Sequence, residues 1–207
     1  MIDRFLMPVH RVLLAPAARG LVAMGATADQ ISIAGFAVGV LAFGCLTLGW
    51  FTAALILIAA NRISDGLDGA VARLTGATDR GAFIDIAFDF LFYALVPLGF
   101  AFADPVANAL PAALLIASFV GTGSSFLAYA IIAAKRGLVA EAHPTKGIYY
   151  LGGLTEGFET IAVFAAMCLW PSAFPWLAMI YAALCVLTTV TRWHQGWRTF
   201  APETAPQ

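Results

Sequence analysis

The sequence predicts an all-α integral membrane protein with six transmembrane helices and an N-terminal amphipathic interfacial helix. Three observations carry this. Hydrophobic residues fill 61% of the 207 positions and charged residues only 11%, against about 25% charged in a soluble domain. Residues 31–60 contain no Asp, Glu, Lys or Arg, where a single helical span needs about 20 residues. The Lys and Arg residues, finally, are confined to alternate connections between the apolar runs.

Residues 1–25 carry Ile2, Phe5, Leu6, Val9, Val12 and Leu13 at helical period, with Arg4 and Arg11 on another face. That pattern suits a helix lying in the membrane interface. Arg4, Arg11 and Arg19 interrupt any apolar core, which argues against a signal peptide. Leu48-Gly49-Trp50 breaks the next run into span 1, a tight turn and the start of span 2. Further runs at 83–103, 106–134, 149–170 and 174–190 supply spans 3 to 6. Lys and Arg occur before span 1, between spans 2 and 3 (Arg62, Arg73, Arg80), between spans 4 and 5 (Lys135, Arg136, Lys146) and after span 6 (Arg192, Arg198). The turns at 49–51, 104–105 and 171–175 have none. The excess of basic residues in cytoplasmic loops then puts both termini in the cytoplasm. Residues 1–200 read as one membrane domain with spans over about 28–195, and 201–207 as a disordered tail. Cys45, Cys168 and Cys185 each sit in a different apolar run and read as inert small hydrophobes. No nucleic-acid partner is expected.

Within this apolar chain, residues 64–90 hold Asp65, Asp68, Asp85 and Asp89, with Asp79 between the pairs. If span 2 starts near Phe51 on the outer side, helical rise sets Asp65 about 21 Å and Asp68 about 25 Å inward. Span 3 runs back from Arg80 and carries Asp85 and Asp89 to the same depth, roughly 7 to 13 Å in from the cytosolic surface. The i,i+3 and i,i+4 spacings put each pair on one helix face. Each buried carboxylate costs about 2.5–3.5 kcal/mol at mid-bilayer, less near the interface. Divalent metal offsets that cost. Hard oxygen donors with no nearby His or Cys suit Mg²⁺, Mn²⁺ or Ca²⁺ rather than zinc, in a two-metal site. His10, His143 and His194 are scattered and offer no alternative cluster. Gly66, Gly69, Ala70, Ala72, Gly76 and Gly81 leave room for a bulky group near the backbone. Arg73 and Arg80 flank the acids where phosphates could bridge to the metals. Together these features describe a site for a phosphate-rich ligand at the inner membrane surface.

Asp65-x-x-Asp68-Gly69-x-x-Ala72-Arg73, followed by Gly81-x-x-x-Asp85-x-x-x-Asp89, resembles the signature of the CDP-alcohol phosphatidyltransferases. The resemblance implies a six-helix inner-membrane enzyme, usually a homodimer, with its active site at the cytosolic face. It implies transfer of a phosphatidyl group from a CDP-lipid, usually CDP-diacylglycerol, to a small alcohol, with release of CMP. By motif position Asp65, Asp68, Asp85 and Asp89 would ligate two divalent ions, Mg²⁺ or Mn²⁺. Asp89 would also be the general base, Gly69, Ala72 and Gly81 would give the nucleotide room, and Arg73 would face its phosphates. Two departures stand out. The stretch between Arg73 and Gly81 is one residue shorter than the family's usual spacing, and the Pro-Asn-x-x-Thr element that commonly opens span 1 is here Ala28-Asp29-Gln30-Ile31-Ser32. Asp29 reads as the cap of span 1. Asp-Gly-Leu-Asp-Gly-Ala-Val-Ala-Arg-Leu resembles the phosphatidylserine synthases, while the short chain and basic loop resemble the phosphatidylglycerophosphate synthases.

The rival reading is a cation-coupled transporter using the intramembrane aspartates. Its sites usually lie near the midplane, whereas these acids gather toward one surface. A second acidic pair, Glu156 and Glu159, stands inside span 5, and Lys135, Arg136 and Lys146 form the basic loop before it. These five are the candidate acceptor-site residues. The bland alternative has the two glutamates paired within the bundle and the basic loop simply facing anionic lipid. Arg62, just before the motif, reads equally as snorkelling to lipid phosphate or as touching substrate.

Overall fold

A computed structural model describes residues 3–138 and 155–201, with side chains described from residue 13 onward. Among the described residues the architecture is entirely helical: α1 (Asp3–Ala23), α2 (Ala28–Thr47), α3 (Phe51–Thr75), α4 (Asp79–Ala103), α5 (Pro105–Lys135), α6 (Gly157–Leu169) and α7 (Phe174–Thr199). A short 3-10 turn, Pro171–Ala173, leads into α7. The expected tail lies outside the described residues except for Ala201, and so does the candidate Lys146.

The breaks fall where the local chemistry requires them. Gly49 takes a φ of +74° in the turn between α2 and α3, a conformation that disfavours any side chain. Gly76 does the same between α3 and α4 with a φ of +101°. Asp104 accepts from the Ala107 amide at 3.1 Å, and Pro105 occupies the first turn of α5, where its missing amide costs nothing. Thr27 caps α2 through a capping box with Gln30, at 3.3 and 3.0 Å. Asp29, expected as the cap, lies within the first turn instead.

Among the described residues, four helical segments are long and apolar enough to cross a membrane: Ala28–Thr47, Asp79–Ala103, Pro105–Lys135 and Pro171–Thr199. The six expected spans are thus found in part. The polar residues of α3 take it outside that group, and the described part of α6 is only 13 residues long.

Helix α2 packs on α3 and α4, α4 on α5, and α5 on α7, while α6 lies against α3 and α7. Phe92, Phe100, Phe164 and Phe174 fill the centre, with Phe51, Phe100 and Phe174 in a stacked column at 5.3 and 4.4 Å. Cys168 and Cys185 are buried in this core and Cys45 packs against it, all as free thiols. A smaller cluster docks α1 onto α3: Ala18, Leu14, Leu21 and Val22 cover Ala70 and Val71, just beyond Asp68. The second half of the expected interfacial helix is therefore also a strut for the acidic segment.

Candidate active site

Small residues let α2 approach the acid-bearing helices. A Cβ on Gly35 would lie 2.8 Å from the Ser64 Cβ, and one on Gly39 would lie 2.8 Å from Phe92 Cδ2. In an apolar bundle, such positions set the distance between helices. The close approach opens a cleft whose walls come from three elements. Ser32, Gly35 and Phe36 come from α2; Asn61, Arg62, Asp65 and Asp68 from α3; Asp85, Phe88 and Asp89 from α4. Phe36 and Phe88 stack at 4.3 Å beneath the acids. All four aspartates thus line one cleft, although among the described residues no three acidic, His or Cys side chains converge as a ready-made metal cage.

Each acid has its own surroundings. Asp68 is buried, 6% exposed, and the Ser32 hydroxyl donates to its Oδ2 at 2.6 Å. Asp85 lines the cleft and is exposed. Asp89 accepts from Arg62 Nη1 at 2.8 Å, and the same nitrogen lies 3.7 Å from Asp65 Oδ1. Arg62 turns inward rather than snorkelling outward. Its Nε and Nη2 both donate to Asn61 Oδ1, at 2.8 and 2.6 Å, while Asn61 Nδ2 donates to the Gly35 carbonyl at 2.8 Å. The guanidinium carbon stands 4.5 Å from the centre of the Phe92 ring and 5.5 Å from that of Tyr93.

The flanking residues divide. Gly69 borders Arg73 closely, since a Cβ there would lie 3.4 Å from Arg73 Nη1. Ala72 is half-buried on the same helix. The space beside Gly81 is taken by Asp29 and Thr78, each 3.1 Å from where a Cβ would be. Arg80 extends to the surface and pairs with Asp29, its Nε donating to Oδ2 at 2.7 Å. That pair ties the start of α4 to the start of α2.

A family model for the CDP-alcohol phosphatidyltransferases matches residues 25–191. The chain belongs to that family. It is 52% identical over 199 residues to the inner membrane protein YnjF of Escherichia coli strain K12, covering 96% of this chain and 97% of that one. A crystal structure of the Mycobacterium tuberculosis phosphatidylinositol phosphate synthase PgsA1 with CDP-DAG bound is similar over 94% of this chain and 97% of its own, with a TM-score of 0.67 and 25% identity. The same synthase in complex with manganese and citrate shares the fold with a TM-score of 0.70 at 23% identity, over 94% of this chain and 92% of that one. This CDP-alcohol phosphatidyltransferase is therefore a phosphatidyl-transferring enzyme of membrane phospholipid synthesis, and a multi-pass membrane protein.

The described members of the expected acceptor set of this phosphatidyltransferase are dispersed. Arg136 caps the far end of α7, donating to the Thr199 and Phe200 carbonyls at 3.4 and 3.0 Å, and Lys135 is exposed beside it. Glu156 sits at the N-cap of α6, and Glu159 lies in the first helical turn. A helix N-terminus favours negative charge, which gives both glutamates a structural reason to be there. Glu156 is buried, and the neighbouring Thr160 hydroxyl meets Tyr181 at 2.7 Å. Sequence reasoning left Arg62 undecided and gave Asn61 no task. The available signal was an Asn-Arg pair placed mid-helix, where each polar group needs a partner.

Proposed function

We propose that this enzyme transfers the phosphatidyl group of CDP-diacylglycerol to a small alcohol acceptor at the cytosolic face of the inner membrane. The observation that carries the reading is that all four signature aspartates, from α3 and α4, line a single cleft with Ser32 of α2. The donor set fits divalent metal: the carboxylates offer only hard oxygens, and a guanidinium already stands against two of them, so the cleft attracts positive charge. Asp65, Asp68, Asp85 and Asp89 would hold two ions, Mg²⁺ or Mn²⁺. When bound, such ions supply charge neutralisation for a diphosphate and its leaving group.

The chain's own residues do the rest. Ser32 fixes Oδ2 of Asp68, a residue that lines the cleft. Asp89 is placed as general base: the acceptor's hydroxyl oxygen forms a bond to the β-phosphorus, and its proton passes to an Asp89 carboxylate oxygen. The bond from that phosphorus to the bridging oxygen breaks, and CMP leaves with the electron pair. Gly69 and Ala72 give the nucleotide access to the helix surface, and Arg73 faces its phosphates.

The distribution of basic residues supports six spans, with α3 and α6 as the additional two, and cytoplasmic termini. A homodimer is the family's usual assembly and is proposed here on that ground. The test is CMP release from CDP-diacylglycerol by purified enzyme with Mg²⁺ or Mn²⁺. Acceptors to screen are glycerol 3-phosphate, serine, inositol and inositol phosphate. Release with one acceptor, lost in Asp89→Asn, is expected. Equal release by Asp89→Asn would remove that residue from the chemistry, and no release with any acceptor or metal would leave a donor other than CDP-diacylglycerol, or aspartates that serve ion passage.

A further inference from the structure

An arginine in a membrane helix ordinarily runs its stem along apolar surface and puts its charge into water. Arg62 does the reverse. Three of its N–H groups are held inside the protein, two by Asn61 and one by Asp89, and its side chain is only 15% exposed. The clamp is itself rigid: Asn61 is buried and anchored to the Gly35 carbonyl, and Phe92, against which the guanidinium lies, is 1% exposed. No flexible link remains through which the charge could drift out of the cleft without breaking buried contacts.

That fixed charge touches the oxygens that the proposed reaction needs. Arg62 Nη1 bonds Asp89 Oδ1 and lies within 4 Å of Asp65 Oδ1, so it ties the α3 and α4 sides of the acidic cleft together. We propose that Arg62 is a built-in counter-cation that competes with divalent metal for Asp65 and Asp89, and so makes metal binding depend on the incoming diphosphate. The inference rests on the reading of the four aspartates as metal ligands. Without a nucleotide, a cation entering the cleft meets a guanidinium that repels it at close range, that already bonds Asp89 and that lies 3.7 Å from Asp65. With a nucleotide, the diphosphate adds negative charge that both the guanidinium and the entering cation can share. The two ligands therefore reinforce each other, and by linkage the coupling is the same in either order. The device holds Asp89 in one orientation and keeps the acids mutually tolerable before substrate arrives.

The test measures Mn²⁺ binding to the purified full chain in detergent by electron paramagnetic resonance, with no lipid substrate and no turnover. Arg62→Gln should bind Mn²⁺ about tenfold more tightly than wild type, equivalent to about 1.4 kcal/mol. Arg62→Lys keeps the charge and should stay within about threefold of wild type, a rescue that a purely structural role for the side chain does not predict. Adding CDP should tighten Mn²⁺ binding to wild type about tenfold, and much less to Arg62→Gln. The wild-type arm stands even if the glutamine variant does not fold. Unchanged or weaker Mn²⁺ binding in Arg62→Gln, or no effect of CDP on wild type, overturns the proposal. Asp85→Asn separates the two levels of inference, because the ion pairs that the proposal assigns to Arg62 are with Asp65 and Asp89. If it binds Mn²⁺ as wild type does, Asp85 is no ligand, and the metal reading and this inference fall together. If it loses Mn²⁺ while Arg62→Gln binds like wild type, only the counter-cation is lost.

Discussion

The closeness of α2 to the acid-bearing helices can be tested with two glycines on one helix. At Gly39 an added Cβ would lie 2.8 and 3.2 Å from two atoms of the Phe92 ring and 3.1 Å from Asn61 Nδ2. Phe92 is buried and cannot swing away, and Asn61 is bonded to Gly35. Overpacking of this kind costs about 1–3 kcal/mol, offset by the roughly 0.5–1 kcal/mol that alanine gains over glycine inside a helix. Gly39→Ala should therefore lose up to about 2.5 kcal/mol, from the difference of those terms. Gly44 lies on the same helix with nothing within 4 Å of its added Cβ. Gly44→Ala should gain about 0.5–1 kcal/mol. Thermal unfolding of the two variants in one detergent reads the difference directly, with opposite signs relative to wild type. The CMP-release assay should also fall for Gly39→Ala alone, because Phe92 and Asn61 hold Arg62 against Asp89. If both variants melt together at or above wild type, the close approach of α2 is not what shapes the cleft.

Other consequences are more local. Ser32→Ala removes the donor to buried Asp68, a hydrogen bond to a charged group worth roughly 1.5–3 kcal/mol; Ser32→Thr keeps it, so only the alanine variant should melt early and lose activity. Arg80→Ala breaks the exposed pair with Asp29 and should cost under about 1 kcal/mol. Its deficit should shrink in high salt, and a salt-independent loss would mean that Arg80 does something other than hold Asp29. Replacing Glu156 and Glu159 together with Gln should raise the KM for the acceptor more than that for the CDP-lipid. Equal changes in both constants would reduce the pair to a stabiliser of the α6 terminus.

The legible part of the structure is what depends on sequence neighbours. The turns at Gly49 and Asp104-Pro105 are written in residues with few conformational choices, so they appear where expected. The acids of each pair share a face because helical spacing requires it, and so the meeting of Asp65 and Asp68 with Asp85 and Asp89 was readable from two helices running in opposite directions. What was not readable is which side of a helix faces protein. In a soluble helix the apolar stripe answers that question. In an apolar span every face is apolar, and the marker of an inner face is a small residue instead. Gly35 and Gly39 were such markers and bring α2 into the site with Ser32. The fate of Arg62 depended on Phe92, Tyr93 and Gly35, all distant in sequence, and no spacing rule connects them.

The same reasoning accounts for the departures in the element that opens α2. With Thr27 capping the helix, Asp29 is released from that task and faces Gly81 and Arg80. A neutral side chain at position 29 could accept a hydrogen bond from Arg80 but would add no charge to the contact. The acidic residue makes it an ion pair across the first turns of α2 and α4, beside the shortened connection between α3 and α4. Three residues farther on, Ser32 supplies the hydroxyl that Asp68 needs. Asp29 therefore locks the helix ends and Ser32 orients a site carboxylate, so the two halves of this altered element do separable jobs. Arg80→Ala should then lower stability with little change in Mn²⁺ affinity, whereas Ser32→Ala should lower both, and a shared loss of Mn²⁺ affinity would show that locking and orienting are one function.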